Sequence, residues 1–448
     1  MSIDAIMIQG EKARLFPVVS ETNKENRIAA IFLALLPVLP DLTDSLFQSI
    51  KIRTGTRTKI ECFTEVVLKS DPEKKHRPDG LIAIKSGGRT RLVLVEFKIG
   101  KNDLEQDQVE RYLKLAKDHG IETVVTISNQ FVARADHPPV QVSKALLRKV
   151  DLFHWSWMSI FTKCQLLQID GTIEDPLQKI ILDEFVRFLE HSSTGVAGFT
   201  QMNKGWKDVV TKAKTGALLQ KSAPEVEETV AGWLEEQRDI CLLLSRMIGK
   251  PVRQKIEPKL LKDNILRLKT EIANFCETKD LTALYQVPDA ASDILVEADL
   301  VRRTIDVSMR VKAPADKQST KARVNWLLRM IKSDDERIIV RAHWPSKVGH
   351  TQSRLSILRE NPEAIQAENA KLAPHSFQIL LIEPLAGRFA GTRTFIEDME
   401  RIVPEFYSLI GQHLKAWQPP APKLRVPKED QDEPQTLLTL TKPVSPQN

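Results

Sequence analysis

Over positions 1–170 the apolar residues fall alternately at helix and strand spacing. Residues 23–36 repeat at 3.6, and Thr22 followed by Glu25 reads as a capping-box pair opening that segment. Three β-like runs follow at 59–68, 80–85 and 91–99, and Gly87-Gly88 between the last two predicts a hairpin turn. Residues 104–118 return to helical spacing, with Val109, Leu113 and Ala116 on one face and His119-Gly120 at the end. Strand patterns recur at 122–128 and 150–157. The alternating aromatics Phe153, Trp155 and Trp157 fit a core strand. This order predicts a mixed sheet with helices packed on it, an α/β fold.

Residues 177–191, 205–212, 225–247 and 258–277 each carry an apolar period of a helix. Ser222-Ala223-Pro224-Glu225 reads as a helix start with proline in its first turn. Strand patterns return at 294–311, 337–344 and 377–382, with helices expected at 321–332 and 394–417. The expected division is an α/β domain over 1–170, a helical connecting region over 171–285 and a second, smaller α/β domain over 286–417. Prolines 419, 420, 422, 427, 434, 443 and 446, with few apolar neighbours, predict a disordered tail over 418–448. No internal repeat is evident.

Composition narrows the function classes. The 448 residues carry 65 Lys+Arg against 59 Asp+Glu, a net +6 that by itself implies no polyanion partner, so local clusters matter more. Cys62, Cys164, Cys241 and Cys276 are far apart in sequence, which removes CxxC knuckles and a disulfide-stapled fold. The first residues lack the basic start and apolar core of a signal peptide, and the apolar run 28–39 is short and contains Pro37. A cytoplasmic chain with no membrane partner is expected. Neither Gly100-Lys101 nor Gly249-Lys250 is preceded by the glycine a phosphate-binding loop needs, so neither ATP nor another nucleotide cofactor is expected. His343 and His350 lack acidic or cysteine partners at ligand spacing.

The chemistry concentrates on one stretch. Asp79 lies in Arg77-Pro78-Asp79-Gly80, where a turn leads into a strand, and Glu96-Phe97-Lys98 lies inside the apolar run 92–99. Period-2 geometry puts Glu96 and Lys98 on the face of Leu92 and Leu94, with Phe97 opposite. Unpaired buried charges there would cost several kcal/mol. A hairpin carries Asp79 alongside Glu96, and two adjacent carboxylates repel unless a divalent cation lies between them.

This pattern resembles the PD-(D/E)XK nuclease superfamily, with Pro78-Asp79 and Glu96-Phe97-Lys98 as its two motifs. Gln108-Val109-Glu110-Arg111-Tyr112 resembles the Q-x-x-x-Y element that many members carry on the next helix, and i, i+4 spacing puts Gln108 and Tyr112 on one helix face. Glu25 or Glu21 matches the acid some members carry on the first helix, and Glu65 one on the preceding strand. The resemblance covers about residues 15–160. Other E-x-K triplets, including Glu73-Lys74-Lys75, lie in polar surroundings and read as solvated charge.

The resemblance implies a restriction-endonuclease-like sheet over 1–170 and a nuclease using Mg²⁺ or Mn²⁺. Asp79 and Glu96 would be its metal ligands together with the Phe97 carbonyl, all hard oxygen donors. Lys98 would orient the attacking water and stabilise charge on the phosphate, with Gln108 and Tyr112 supporting the site. Nucleic acid, DNA in preference to RNA, would be held by Lys74, Lys75, Arg77 and Arg89, with Arg53, Arg57, Lys59, Lys85 and Arg91 nearby. The C-terminal domain, with Arg302, Arg303, Arg310, Lys312, Lys317, Lys321 and Arg323, would recognise or regulate. It or the helical middle would offer a surface for a homo-oligomer. The expected function is a DNA endonuclease of restriction or phage-defence type. The alternatives are a catalytically silent nucleic-acid-binding or scaffold protein on the same fold, and a recombination or repair exonuclease.

Overall fold

The computed structural model describes residues 6–16, 23–69, 77–345, 348–369 and 371–418. Lys74, Lys75, Glu21, Thr22 and the tail from 419 onward lie outside the described residues.

The first half runs β1 (Met7–Lys12), α1 (Lys24–Leu35), α2 (Pro40–Ser49), β2 (Lys59–Leu68), β3 (Gly80–Ser86), β4 (Arg89–Phe97), α3 (Gln106–Asp118), β5 (Thr123–Ser128), α4 (Lys144–Leu147), β6 (Asp151–Ser156), α5 (Trp157–Asp170) and α6 (Pro176–Glu190). Its six strands stand in chain order, with β1 to β4 antiparallel and β4, β5 and β6 parallel. The mixed sheet and its flanking helices agree with the α/β expectation.

Alternation on the strands builds two cores. Ile82, Ile84, Val93, Val95 and Phe97 join residues of α1, α2, α5 and α6, with Phe32 edge-on to Phe97 and Trp157. Leu81, Ala83, Leu92 and Leu94 join Val109 and Leu113 of α3 on the opposite face. The sheet is therefore covered on both sides. Gly80 permits the close approach of α1: a Cβ there would stand 2.5 Å from Leu33 Cδ1. Gly87 and Gly88, at φ 55° and 79°, form the tip of the β3–β4 hairpin, where Ser86 pairs with Arg89.

The second half comprises α7 (Trp206–Lys214), α8 (Pro224–Ile248), β7 (Arg253–Gln254), α9 (Pro258–Lys262), α10 (Asn264–Thr278), β8 (Asp280–Gln286), β9 (Ile294–Asp299), β10 (Thr304–Lys312), α11 (Thr320–Leu328), β11 (Ile338–His343), β12 (Thr351–Arg354), α12 (Leu355–Glu360), β13 (Ser376–Pro384) and α13 (Thr392–Leu409). Its seven strands are ordered β12-β11-β13-β10-β9-β8-β7, all antiparallel.

Several expectations need correction. The segment 171–285 is not a separate connecting region. Leu182, Phe185 and Leu189 of α6 complete the first core, whereas Trp206, Trp233 and Phe275 belong to the core of the second sheet. The second unit is accordingly not the smaller one, and its sheet has seven strands against six. The run 294–311 is two strands, because Arg303 at φ 57° turns the chain without a glycine. The run 258–277 is broken where Asp263 caps α10 by accepting from the Leu266 backbone N–H. Asn23, not Thr22, caps α1, and Ala223 holds the cap position of α8 without a side-chain bond.

No single described helix is long and apolar enough to cross a membrane. The apolar pair α1–α2 is bent by 106° and contributes Phe32, Leu33, Leu42 and Leu46 to the first core.

Candidate active site

The start of β3, the end of β4, α1 and α3 meet at one end of the first sheet. Antiparallel register pairs Gly80 with Val95, which puts Asp79 beside Glu96. The Phe97 backbone N–H donates to Asp79 Oδ2 at 2.8 Å. Glu96 is 2% exposed, and its Oε1 accepts from Lys98 Nζ at 2.8 Å and from Gln108 Nε2 at 2.6 Å. Lys98 Nζ also reaches Glu25 Oε1, 3.2 Å away in the first turn of α1. Gln108 Nε2 lies 3.4 Å from Tyr112 Oη, which donates to the Arg77 carbonyl at 3.2 Å. Residues from four segments thus form one hydrogen-bonded network. Behind it, fully buried Trp157 donates from Nε1 to the Lys98 carbonyl at 3.0 Å, and its ring stacks on Phe97.

The electrostatics follow from burial. Desolvation raises the Asp79 carboxyl well above its ordinary value, the Glu96 charge raises it further, and the Phe97 N–H and Lys98 oppose the shift. Glu96 is likewise raised by burial against the pull of Lys98. Burial alone would lower the Lys98 ammonium, yet Glu96, Glu25 and Asp79 together hold it above the ordinary lysine value. Burial and the Glu96 charge push the Tyr112 phenol up. The acids are therefore biased toward their protonated forms while Lys98 stays charged.

Glu96 Oε2 and Glu25 Oε2 are buried and have no hydrogen-bond partner among the described residues. Two orphaned carboxylate oxygens, in a cluster of oxygen donors without sulfur or imidazole, suit a hard cation in chemistry. Among the described residues, however, no group of three or more His, Cys, Asp or Glu side chains is gathered tightly enough to hold a metal ion as it stands. The Lys98 ammonium, shared between Glu25 and Glu96, occupies the position of a counter-charge.

Of the expected residues, Asp79, Glu96, Lys98, Gln108, Tyr112 and Glu25 converge. Glu65 does not join them. It sits in the left-handed region at φ 53°, where the β1–β2 ladder is irregular, and its exposed side chain accepts from Asn26 Nδ2 at 2.8 Å. Glu65 thus braces the start of α1. Arg77 is exposed beside the site, and its backbone belongs to the network.

Arg89 is a correction. It stands at the hairpin tip, at the far end of the seven-residue β3 and roughly 20 Å away at about 3.4 Å per residue. Arg53, Arg91, Lys59 and Lys85 share that distal end, since Lys59 pairs with Lys85. A cleft of about 690 Å³ opens there, lined by Lys51, Arg53, Arg89 and Arg91 with Glu122 as its carboxylate, and it lacks the paired acids of the network. In the second half, Arg302 is committed to Asp306 and Asp299, and Arg323 to the carbonyls of Lys317 and Pro374. The expectations placed Trp157 in the core but as the end of a strand, and missed that it opens α5 after the capping Ser156 and donates to the Lys98 carbonyl; they also missed Asn26, which bridges α1 to Glu65.

Comparison of the chain with protein-family models, curated proteins and solved structures gives no match.

Proposed function

We propose that this protein is a divalent-cation-dependent nuclease that hydrolyses phosphodiester bonds, with DNA as the preferred substrate. The observation carrying this reading is the convergence of Asp79, Glu96, Lys98 and Glu25 from separate segments, with two carboxylate oxygens left unpartnered. A purely structural Glu–Lys pair has no need of the third and fourth charges, whose burial is costly.

Asp79 and Glu96, with Glu25 as a further donor, would hold Mg²⁺ or Mn²⁺, which supplies Lewis acidity toward phosphate and a more acidic bound water. Asp79 is positioned by the Phe97 N–H, and Glu96 by Gln108. Lys98 remains protonated and would donate toward the phosphate oxygen on which negative charge develops. Tyr112 holds the Arg77 backbone, fixing the approach to Asp79 from the loop side.

The test is cleavage of supercoiled and linear DNA with Mg²⁺, Mn²⁺ or EDTA, comparing wild type with Asp79→Ala and Lys98→Ala. Metal-dependent cutting absent from both variants is the expected result, and cutting of closed circles identifies an endonuclease. A second reading, a silent binding protein on this fold, is favoured by the neutralising contact of Lys98 with both Glu25 and Glu96. Folded wild type that binds DNA but cuts neither DNA nor RNA would establish that alternative.

A further inference from the structure

Away from the carboxylate network, positive charge is gathered where the two halves of the chain meet. A pocket of about 300 Å³ lies between the ends of α2 and β6, the segment 132–136, the start of α5 and the middle of α8. Lys51, Arg134, Lys163 and Arg238 line it, against Asp136 as its carboxylate. Asp136 is already taken: Arg134 grips it with two bonds of 2.8 and 2.7 Å, and Lys51 lies 3.4 Å away. His154 adds no charge of its own, since burial pushes its imidazole down to about 4 and both ring nitrogens are engaged by Thr126 and Gln130.

Neither Lys163 nor Arg238 forms an ion pair among the described residues, although Arg238 is within electrostatic reach of the Asp239 carboxylate, which Arg246 and the Phe199 N–H also engage. Lys163 Nζ donates to Ser45 Oγ at 2.6 Å and reaches the Ser45 carbonyl at 3.4 Å. Arg238 Nη1 reaches the Cys241 sulfur at 3.9 Å, a weak contact, while its Nε is buried with no partner. Burial and the neighbouring Arg238 charge both lower the Lys163 ammonium, so each cation burdens the other. Half-buried like charges outside any ion pair are costly, and a bound anion lowers that cost. Ser156 and Ser159 bring the N-terminal turn of α5 into the same wall, which adds the partial positive charge of a helix start.

We propose that this pocket binds a phosphate dianion, either free or as the monoester group of a small molecule, with Lys163 and Arg238 as its principal ligands. The ammonium supplies a point charge and the guanidinium a planar fork, a pairing suited to phosphate oxygens. Because α5 and α8 belong to different cores, the bound anion would tie the two halves together. The site is independent of the cutting activity proposed above.

The test uses the full chain in phosphate-free buffer, titrated with potassium phosphate, with adenosine 5′-monophosphate, and with potassium chloride and adenosine as controls. Phosphate is expected to raise the unfolding temperature beyond chloride at equal ionic strength. Arg238→Gln and Lys163→Met are expected to weaken binding by about tenfold or more, as loss of a charge-assisted bond would. Binding of the monophosphate tighter than inorganic phosphate assigns a monoester ligand, and the reverse assigns the free anion. No phosphate-specific response in wild type, or an undiminished one in both variants, overturns the proposal. Should a variant fail to fold, acetylation of Lys163 in wild type decides the question. Protection by phosphate but not by chloride supports the site, and equal labelling overturns it.

Discussion

The backbone N–H of Phe97 donates to Asp79 Oδ2 at 2.8 Å, so the residue between Glu96 and Lys98 is also the one that fixes the third charged group. Because the contact comes from the main chain, it survives substitution of Phe97 and depends only on strand register. Residues 79, 96 and 98 are thereby held together by the β3–β4 ladder. Charge-removing substitutions should therefore leave the geometry intact and remove only the chemistry. Glu96→Gln and Lys98→Met are each expected to reduce metal-dependent DNA cleavage by about a hundredfold or more while retaining a cooperative melt. Activity within a few fold of wild type in both would remove the network from the reaction.

Asp79 makes a pH-dependent cost visible. Its carboxyl is raised well above the ordinary value, so the folded state holds its proton more tightly than the unfolded chain does. Stability linked to this group is highest at low pH and is lost as pH rises from about 4, where the unfolded carboxyl ionises, toward the raised folded value. Asp79→Asn can still accept from Phe97 and has no proton to lose. It should match wild type near pH 4 and melt higher than wild type at pH 8, while being inactive. Thermal melts across that range check the sign, and an Asn variant less stable at pH 8 would refute the assignment.

Arg89 gives a prediction about distance. Since the hairpin tip lies at the opposite end of β3, Arg89→Ala should leave the cleavage rate on a short duplex within about twofold of wild type, as expected for an isolated surface change. Any loss should appear as weaker binding of long DNA, measured at fixed salt. A large fall in the rate constant on a short duplex would contradict the placement of the tip.

The parts that were legible in the sequence share a physical cause. Glu96 and Lys98 stood out because charges interrupt an otherwise apolar strand, and two-residue alternation correctly sets Leu92 and Leu94 on the face opposite Phe97. Gly87-Gly88 was readable because the turn needs positive φ at both positions. Helix α5 was not readable, since Met158, Leu166 and Ile169 put apolar groups on the faces away from its buried stripe of Trp157, Ile160, Phe161 and Cys164 and blur its period. Strand β8 was passed over although Leu281, Ala283 and Tyr285 alternate in burial. The distal position of Arg89 follows from strand length, which proximity in sequence to Asp79 obscured. The division of helices between two cores depends on long-range packing that no local pattern encodes.

Tyr112 links the helix to the loop before Asp79. Tyr112→Phe keeps the buried ring but leaves the Arg77 carbonyl without its donor, a loss of about 1 kcal/mol. Gln108 would still reach Glu96, so the expected result is a small fall in unfolding temperature and a several-fold loss of cleavage, far milder than for Lys98. A variant as inactive as Lys98→Met would show that the Tyr112 hydroxyl touches the reacting groups directly.

Glu236, in the interior of α8, offers a stability test remote from the network. It is 0% exposed, and neither carboxyl oxygen has a hydrogen-bond partner among the described residues. Burial raises it well above the ordinary value, and the charges of Asp239 and Glu400 raise it further; Glu400 itself is pushed up to about 7. The sign is that of Asp79: protonated Glu236 is tolerated when folded, and stability falls as pH climbs above about 4.3, the ordinary glutamate value. Glu236→Leu replaces an unsatisfied polar group with an apolar one of similar size. It should stabilise the chain by about 1 kcal/mol or more, with the gain growing between pH 5 and pH 8. Urea unfolding at the two pH values measures this. A leucine variant that loses stability at pH 8 would mean that the carboxyl is held by a partner worth more than its burial costs.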